Sequence, residues 1–76
     1  MYKFIEKWEA INREVKINEE TVDILESGRL VFRFYLTGYY VNLRVISLIY
    51  QTSGVSSCIL NLLNETMKEL ESERDV

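Results

Sequence analysis

Apolar residues open the chain at helical spacing. Phe4, Trp8, Ile11 and Val15 recur at steps of four, three and four, with Ile5 beside them and charges opposite, which predicts a helix over 3–15. Glu9 and Arg13 stand four apart in the favourable orientation and add about a few tenths of a kcal/mol. The following KINEE is polar and predicts a loop, with Ile17 free to tuck inward. The next stretches switch to a period of two. TVDILESG alternates and ends in a turn, and in RLVFRFYL the residues Leu30, Phe32, Phe34 and Leu36 point one way while Val31, Arg33 and Tyr35 point the other. A third strand runs through YYVNLRVISLIYQ.

The turns can be tested against the faces they create. A two-residue Thr37-Gly38 turn sets Leu36 against Tyr39, Phe34 against Val41, Phe32 against Leu43 and Leu30 against Val45. On the other face it sets Tyr35 against Tyr40, Arg33 against Asn42 and Val31 against Arg44, so like meets like. A two-residue Ser27-Gly28 turn fails the same test, because it puts Asp23 opposite Phe32. A three-residue loop, Glu26-Ser27-Gly28, restores the match, with Ile24 facing Leu30 and Val22 facing Phe32.

After QTSG, with Ser53 or Thr52 as N-cap, Val55, Ile59, Leu62, Leu63, Thr66, Met67 and Leu70 form a second helical stripe. The expected architecture is α+β: helix, three-stranded antiparallel meander, helix (α-β-β-β-α), with both helices on the Val22/Ile24, Phe32/Phe34, Val41/Leu43/Val45 face. Residues 1–76 form one compact domain, and the charged end, residues 72–76, is expected to fray.

Composition narrows the classes. The chain is 76 residues long, 47% hydrophobic and 28% charged, with no proline and three glycines, which is globular and leaves room for one small core. A domain of this size buries only about 60% of its unfolded surface, so self-association or partner binding is expected. One cysteine, Cys58, and no histidine argue against a disulfide or a structural zinc site, and no cofactor is implied. MYKFIEKW lacks a signal-peptide core, and no apolar run is long enough to span a membrane. The expected location is cytoplasmic.

The element order and length resemble the double-stranded RNA-binding domain, which places a helix, a three-stranded sheet and a second helix in that order. That family grips phosphates through a lysine-rich start to its second helix. The matching stretch here, Ser53-Gly54-Val55-Ser56-Ser57-Cys58-Ile59, has no basic residue, so the resemblance is one of topology and does not extend to RNA duplex binding.

Charge is unevenly placed. The net charge is -3, yet residues 29–50 contain no acid and hold three arginines and four of the five tyrosines. The uncovered sheet face collects Arg33, Tyr35, Tyr40, Asn42 and Arg44. Farther along the strand the alternation breaks down: Val45 and Ile49 keep the core parity, while Ile46 and Leu48 face outward. Tyrosine and arginine beside apolar residues suit a protein interface or a second copy of the chain, and they also suit stacking of single-stranded nucleic acid. The ordinary alternative is that tyrosines favour strands and arginines keep an open face hydrated. The acidic balance disfavours nucleic acid. A second candidate is acidic: Glu19, Glu20, Asp23 and Glu26, spaced as in a mimic of DNA phosphates, although a solvated face is the plainer account.

Catalytic equipment is missing from the pattern. Glu65 and Glu69 share a helix face, but nothing there buries them enough to separate acid from base. Cys58 has no histidine to activate it and is expected to pack as a small hydrophobe. The sequence therefore reads as a small acidic protein-binding regulator or inhibitor without catalytic activity, a style and size that suit a viral or mobile-element protein. It would use Arg33, Tyr35, Tyr40, Asn42, Arg44, Ile46 and Leu48 toward a protein partner or in a homodimer.

Overall fold

The computed structural model describes residues 2–38 and 40–74. They form α1 (Lys3–Glu9), β1 (Arg13–Ile17), β2 (Thr21–Glu26), β3 (Arg29–Thr37), β4 (Tyr40–Val45), α2 (Leu48–Ser53) and α3 (Ser57–Arg74). The strands make one antiparallel sheet in the order β1-β2-β3-β4. The α+β class stands, but the expected α-β-β-β-α order does not: among the described residues there are four strands and three helices. The topological resemblance to the double-stranded RNA-binding domain falls with it.

The first correction lies at Asn12. The predicted helix over 3–15 stops after seven residues, and its end tightens through Ile11 N–H to Trp8 O at 3.1 Å and Asn12 N–H to Glu9 O at 3.1 Å. Asn12 then adopts a left-handed conformation, φ 61°, which asparagine tolerates better than most residues. The chain swings into β1, where Val15 pairs with Ile24 and Ile17 with Val22. Val15 fits both periods, so periodicity alone could not place it. Pairing with β2 decided the outcome, because it satisfies a row of backbone groups that would otherwise form a bare edge.

The β2–β3 hairpin resolves its parity conflict inside the strand. Ser27 and Gly28 have φ of 52° and 78°, the two positive values a two-residue type I′ turn needs. Glu26 pairs with Arg29 and Leu25 with Leu30, and the register then shifts so that Ile24 meets Phe32 and Val22 meets Phe34. Val31 is the extra residue of a β-bulge. The expected three-residue loop is thus replaced by a two-residue turn and a bulge. Leu30 leaves the core face, and Val31, expected to point outward, is buried.

The β3–β4 turn sits one residue later than expected. Thr37 pairs with Tyr40, and the register continues as Leu36–Val41, Tyr35–Asn42, Phe34–Leu43, Arg33–Arg44 and Phe32–Val45. Every partner is displaced by two positions from the predicted pairing. A displacement of two leaves each side chain on its own face, so the predicted core parity survives.

Val22, Ile24, Phe32, Phe34 and Val41 are buried on one face beneath Phe4 and Trp8 of α1 and Leu62, Leu63 and Leu70 of α3. The two helices are tied to each other. Glu69 of α3 accepts the first amides of α1, Lys3 N–H at 2.7 Å and Phe4 N–H at 3.1 Å, which Tyr2 does not cap. The buried Trp8 Nε1–H donates to Thr66 Oγ1 at 2.9 Å, and Thr66 donates in turn to Leu62 O at 2.7 Å. Lys7 and Glu65 close the exposed rim of this seam at 2.7 Å.

The C-terminal region also departs from expectation. The strand predicted through Gln51 ends at Val45, and Leu48–Ser53 is helical. Ser53 closes α2 rather than capping the next helix, and Gly54, at φ 79°, makes the break. The cap of α3 is Ser56, whose Oγ accepts from Ile59 N–H at 3.4 Å. Cys58, expected to pack inward, is exposed in the first turn of α3. α3 runs through Arg74, and of the end expected to fray, residues 72–76, positions 75–76 lie outside the described residues.

Candidate functional site

Among the described residues, no helix covers the second face of the sheet. Across its middle, one row reads Lys16, Asp23, Arg33, Arg44, each paired with the next across adjacent strands. Arg33 is committed within this row: its Nε and Nη2 donate to the two carboxylate oxygens of Asp23 at 2.7 and 3.0 Å. The Asp23 side chain is only 9% exposed and also receives Asn18 Nδ2 at 3.4 Å. The bond to Asp23 foremost, then one to Tyr35, raises the Arg33 pKa above its ordinary value. The fork is a two-point fit of planar groups, so its orientation is set as well as its charge. Arg44 lies beside Arg33, is exposed, and has no ion pair among the described residues.

The bulge positions the adjoining apolar surface. Val31 O accepts both Ile46 N–H at 2.9 Å and Ser47 N–H at 3.3 Å, which ends β4 and turns the chain into α2. Helix α2 is six residues long and buries none of them. Its anchor is Tyr50, whose ring lies 4.8 Å from that of Phe32 and whose hydroxyl donates to Glu26 Oε2 at 3.1 Å. Arg13 joins them through Nη2, 2.7 Å from Glu26 Oε2 and 3.3 Å from the Tyr50 hydroxyl, while its buried Nε has no partner. Gln51 adds a second tie, donating to Val45 O at 2.7 Å. With Tyr50 turned inward, Leu48 and Ile49 are left 71% and 65% exposed, and Ile46 stands exposed just before them.

The predicted residues therefore divide into two groups. Tyr40, Asn42 and Arg44 lie exposed along β4, an edge strand, and Ile46 and Leu48 follow where the strand exits. Arg33 and Tyr35 belong to the adjacent β3, where both are half-buried and Arg33 is held by Asp23. Ile49, assigned by strand parity to the core, belongs with the exposed set, and the broken alternation in RVISLIYQ was the signal for it. The acidic candidates do not form one surface. Glu19 and Glu20 are exposed in the β1–β2 loop, Asp23 faces Arg33, and Glu26 is paired with Arg13 beside the core.

Among the described residues no group of three or more Cys, Asp or Glu is placed to hold a metal ion, and no helix is long and apolar enough to cross a membrane. No family model matches the chain, and comparison with curated proteins and with solved structures also finds no match.

Proposed function

We propose that this chain is a small, acidic, non-catalytic regulator of the cytosol that acts by protein–protein contact through the β4 edge and α2. One observation carries the reading: α2 spends none of its side chains in the core except the half-buried Tyr50, and it presents Leu48 and Ile49 to solvent beside Ile46. A helix of six residues has no stability of its own and must be held by tertiary contacts. Here the fold holds it by Tyr50 and Gln51 in an orientation that displays two large aliphatic residues. Adjacent exposed apolar residues rimmed by polar ones, here Arg44 and Asn42, have the form of a contact surface.

Affinity capture with the full chain and with the Leu48→Asp/Ile49→Asp variant tests this. The expected result is a partner retained by the natural chain and lost by the variant at unchanged thermal stability. Retention of every partner by a folded variant would end the proposal. Single-stranded nucleic acid is the weaker reading, because Arg33 is already matched by Asp23, and among the described residues of the row that leaves Lys16 and Arg44, on opposite edge strands, to meet phosphates on the open face. A titration with short single-stranded RNA and DNA at two salt concentrations is expected to show no salt-dependent binding.

A further inference from the structure

The β4 edge is an open hydrogen-bonding template, and its pattern of free groups selects a partner. Ile46 N–H points into the sheet, toward Val31 O, whereas Val45 O points away and is taken by Gln51 Nε2. Backbone direction alternates along a strand. The amides and carbonyls of Val41 and Leu43 therefore face outward with Val45, while those of Tyr40, Asn42 and Arg44 face β3. Gln51 closes the edge at Val45, and Val41 and Leu43 remain open.

We propose that two copies of the chain pair antiparallel through β4, centred on Asn42, to make one continuous eight-stranded sheet. This register sets Val41 against the partner's Leu43 and Leu43 against the partner's Val41, so each pair exchanges both hydrogen bonds using only groups left free in the single chain. Registers that bond Val45 would crowd a carbonyl that already accepts from Gln51. A centre at Arg44 would also oppose the two arginines directly. Centring on Asn42 instead places Arg44 across from the partner's Tyr40 on the open face, in the close, non-hydrogen-bonded type of pair, where a guanidinium can lie against an aromatic ring. Arg44 thereby acquires a partner, and Tyr40, 72% exposed in the single chain, is covered.

The other edge is a poorer template. β1 carries Glu14 and Lys16, both exposed, whereas β4 has one charged residue, no acid, no proline and no bulge to discourage pairing. Pairing over so few residues falls short of the roughly 800 Å² per partner of a stable interface. Ile46 and Leu48, beyond the strand end, lie toward the partner's β3–β4 hairpin and extend the contact with apolar area. The inference rests on the proposed use of β4 and α2 as a contact surface and names its occupant.

Sedimentation equilibrium of the full chain, joined to cysteine cross-linking in a Cys58→Ser background, tests it. Cα atoms about 4.5 Å apart in a close pair lie within disulfide range. Asn42→Cys is expected to give a disulfide-linked dimer on mild oxidation. Tyr40→Cys and Arg44→Cys are each expected to cross-link poorly alone and efficiently when mixed. Tyr40→Lys is expected to weaken association about tenfold by opposing two pairs of like charges, and adding Arg44→Glu to restore it. A chain that is monomeric at every concentration overturns the inference, as does a dimer in which Asn42→Cys fails to cross-link. An added acidic peptide that binds along β4 of a monomer also overturns it. If the chain stays monomeric while Leu48→Asp/Ile49→Asp loses a captured partner, the contact-surface reading stands without the dimer. A cross-linked dimer indifferent to Leu48→Asp/Ile49→Asp, with partner capture also unchanged, supports β4 pairing and removes α2 from the surface.

Discussion

Asp23 and Arg33 show how much one buried carboxylate determines. Their fork leaves Asp23 nearly closed to water while Arg33 keeps a third of its side chain exposed. The consequences of removing either partner are therefore unequal. Arg33→Met strands a buried carboxylate, whereas Asp23→Asn leaves an arginine that can turn toward water. Arg33→Met is expected to lower the urea midpoint more than Asp23→Asn, and Arg33→Met/Asp23→Leu to recover most of the loss. Equal losses in the two single variants would contradict this account. A second residue-scale expectation concerns Ser27, which takes a left-handed conformation at φ 52° without being glycine or asparagine. Ser27→Asn supplies the residue that a type I′ turn prefers and is expected to stabilise by about 0.5 kcal/mol, read from the shift of the denaturation midpoint. The Asp23–Arg33 pair escaped pattern reading because it depends on the register beyond the bulge. A predicted loop one residue too long had set Asp23 beside the wrong neighbours.

At the scale of elements, α1 is a short helix made possible by α3. Its seven residues cannot sustain a helix alone, and both of its first free amides are received by Glu69. Glu69→Ala is expected to cost about 1 kcal/mol, the usual worth of an N-cap, and to raise hydrogen exchange in α1 more than in β3. Thr66→Val removes the acceptor of the buried Trp8 indole and is expected to cost about 1–3 kcal/mol in urea unfolding. The helical stripe of α3, including Thr66 and Leu70, was legible because a long amphipathic pattern has one solution. The 13–17 and 46–53 stretches were not. Both are short, and each carries apolar residues compatible with two periods, so β1 was settled by its neighbour β2 and α2 by the Val31 carbonyl and the Phe32 ring.

For the whole molecule, the separation of core from the proposed contact surface should be measurable. Leu48→Asp/Ile49→Asp changes two exposed residues of a helix that buries none of its side chains and is expected to leave stability within about 0.5 kcal/mol of the natural chain. Phe32→Ala, at the junction of Trp8, Tyr50 and the sheet, is expected to cost about 3–5 kcal/mol. If the chain pairs through β4, its melting temperature should rise with protein concentration, and Tyr40→Lys should move that rise to about tenfold higher concentration.

Sequence alone determined the α+β class, the alternating β2–β4 faces, the face that becomes the core, and the concentration of arginine, tyrosine and unassigned apolar residues between positions 29 and 50. These follow from periodicity, which survives a register displaced by two. Strand number, turn length and the path of the chain after Val45 were decided by tertiary structure. Asn12 ends a helix only because a strand partner waits, and Val31 enters a bulge only because Ile24 must meet Phe32. That bulge aims one carbonyl at Ile46 and Ser47 and so starts the helix that displays Leu48 and Ile49. The physical reason is that local pattern specifies which face a residue prefers, whereas pairing over the whole sheet specifies its neighbours, and a surface is made of neighbours.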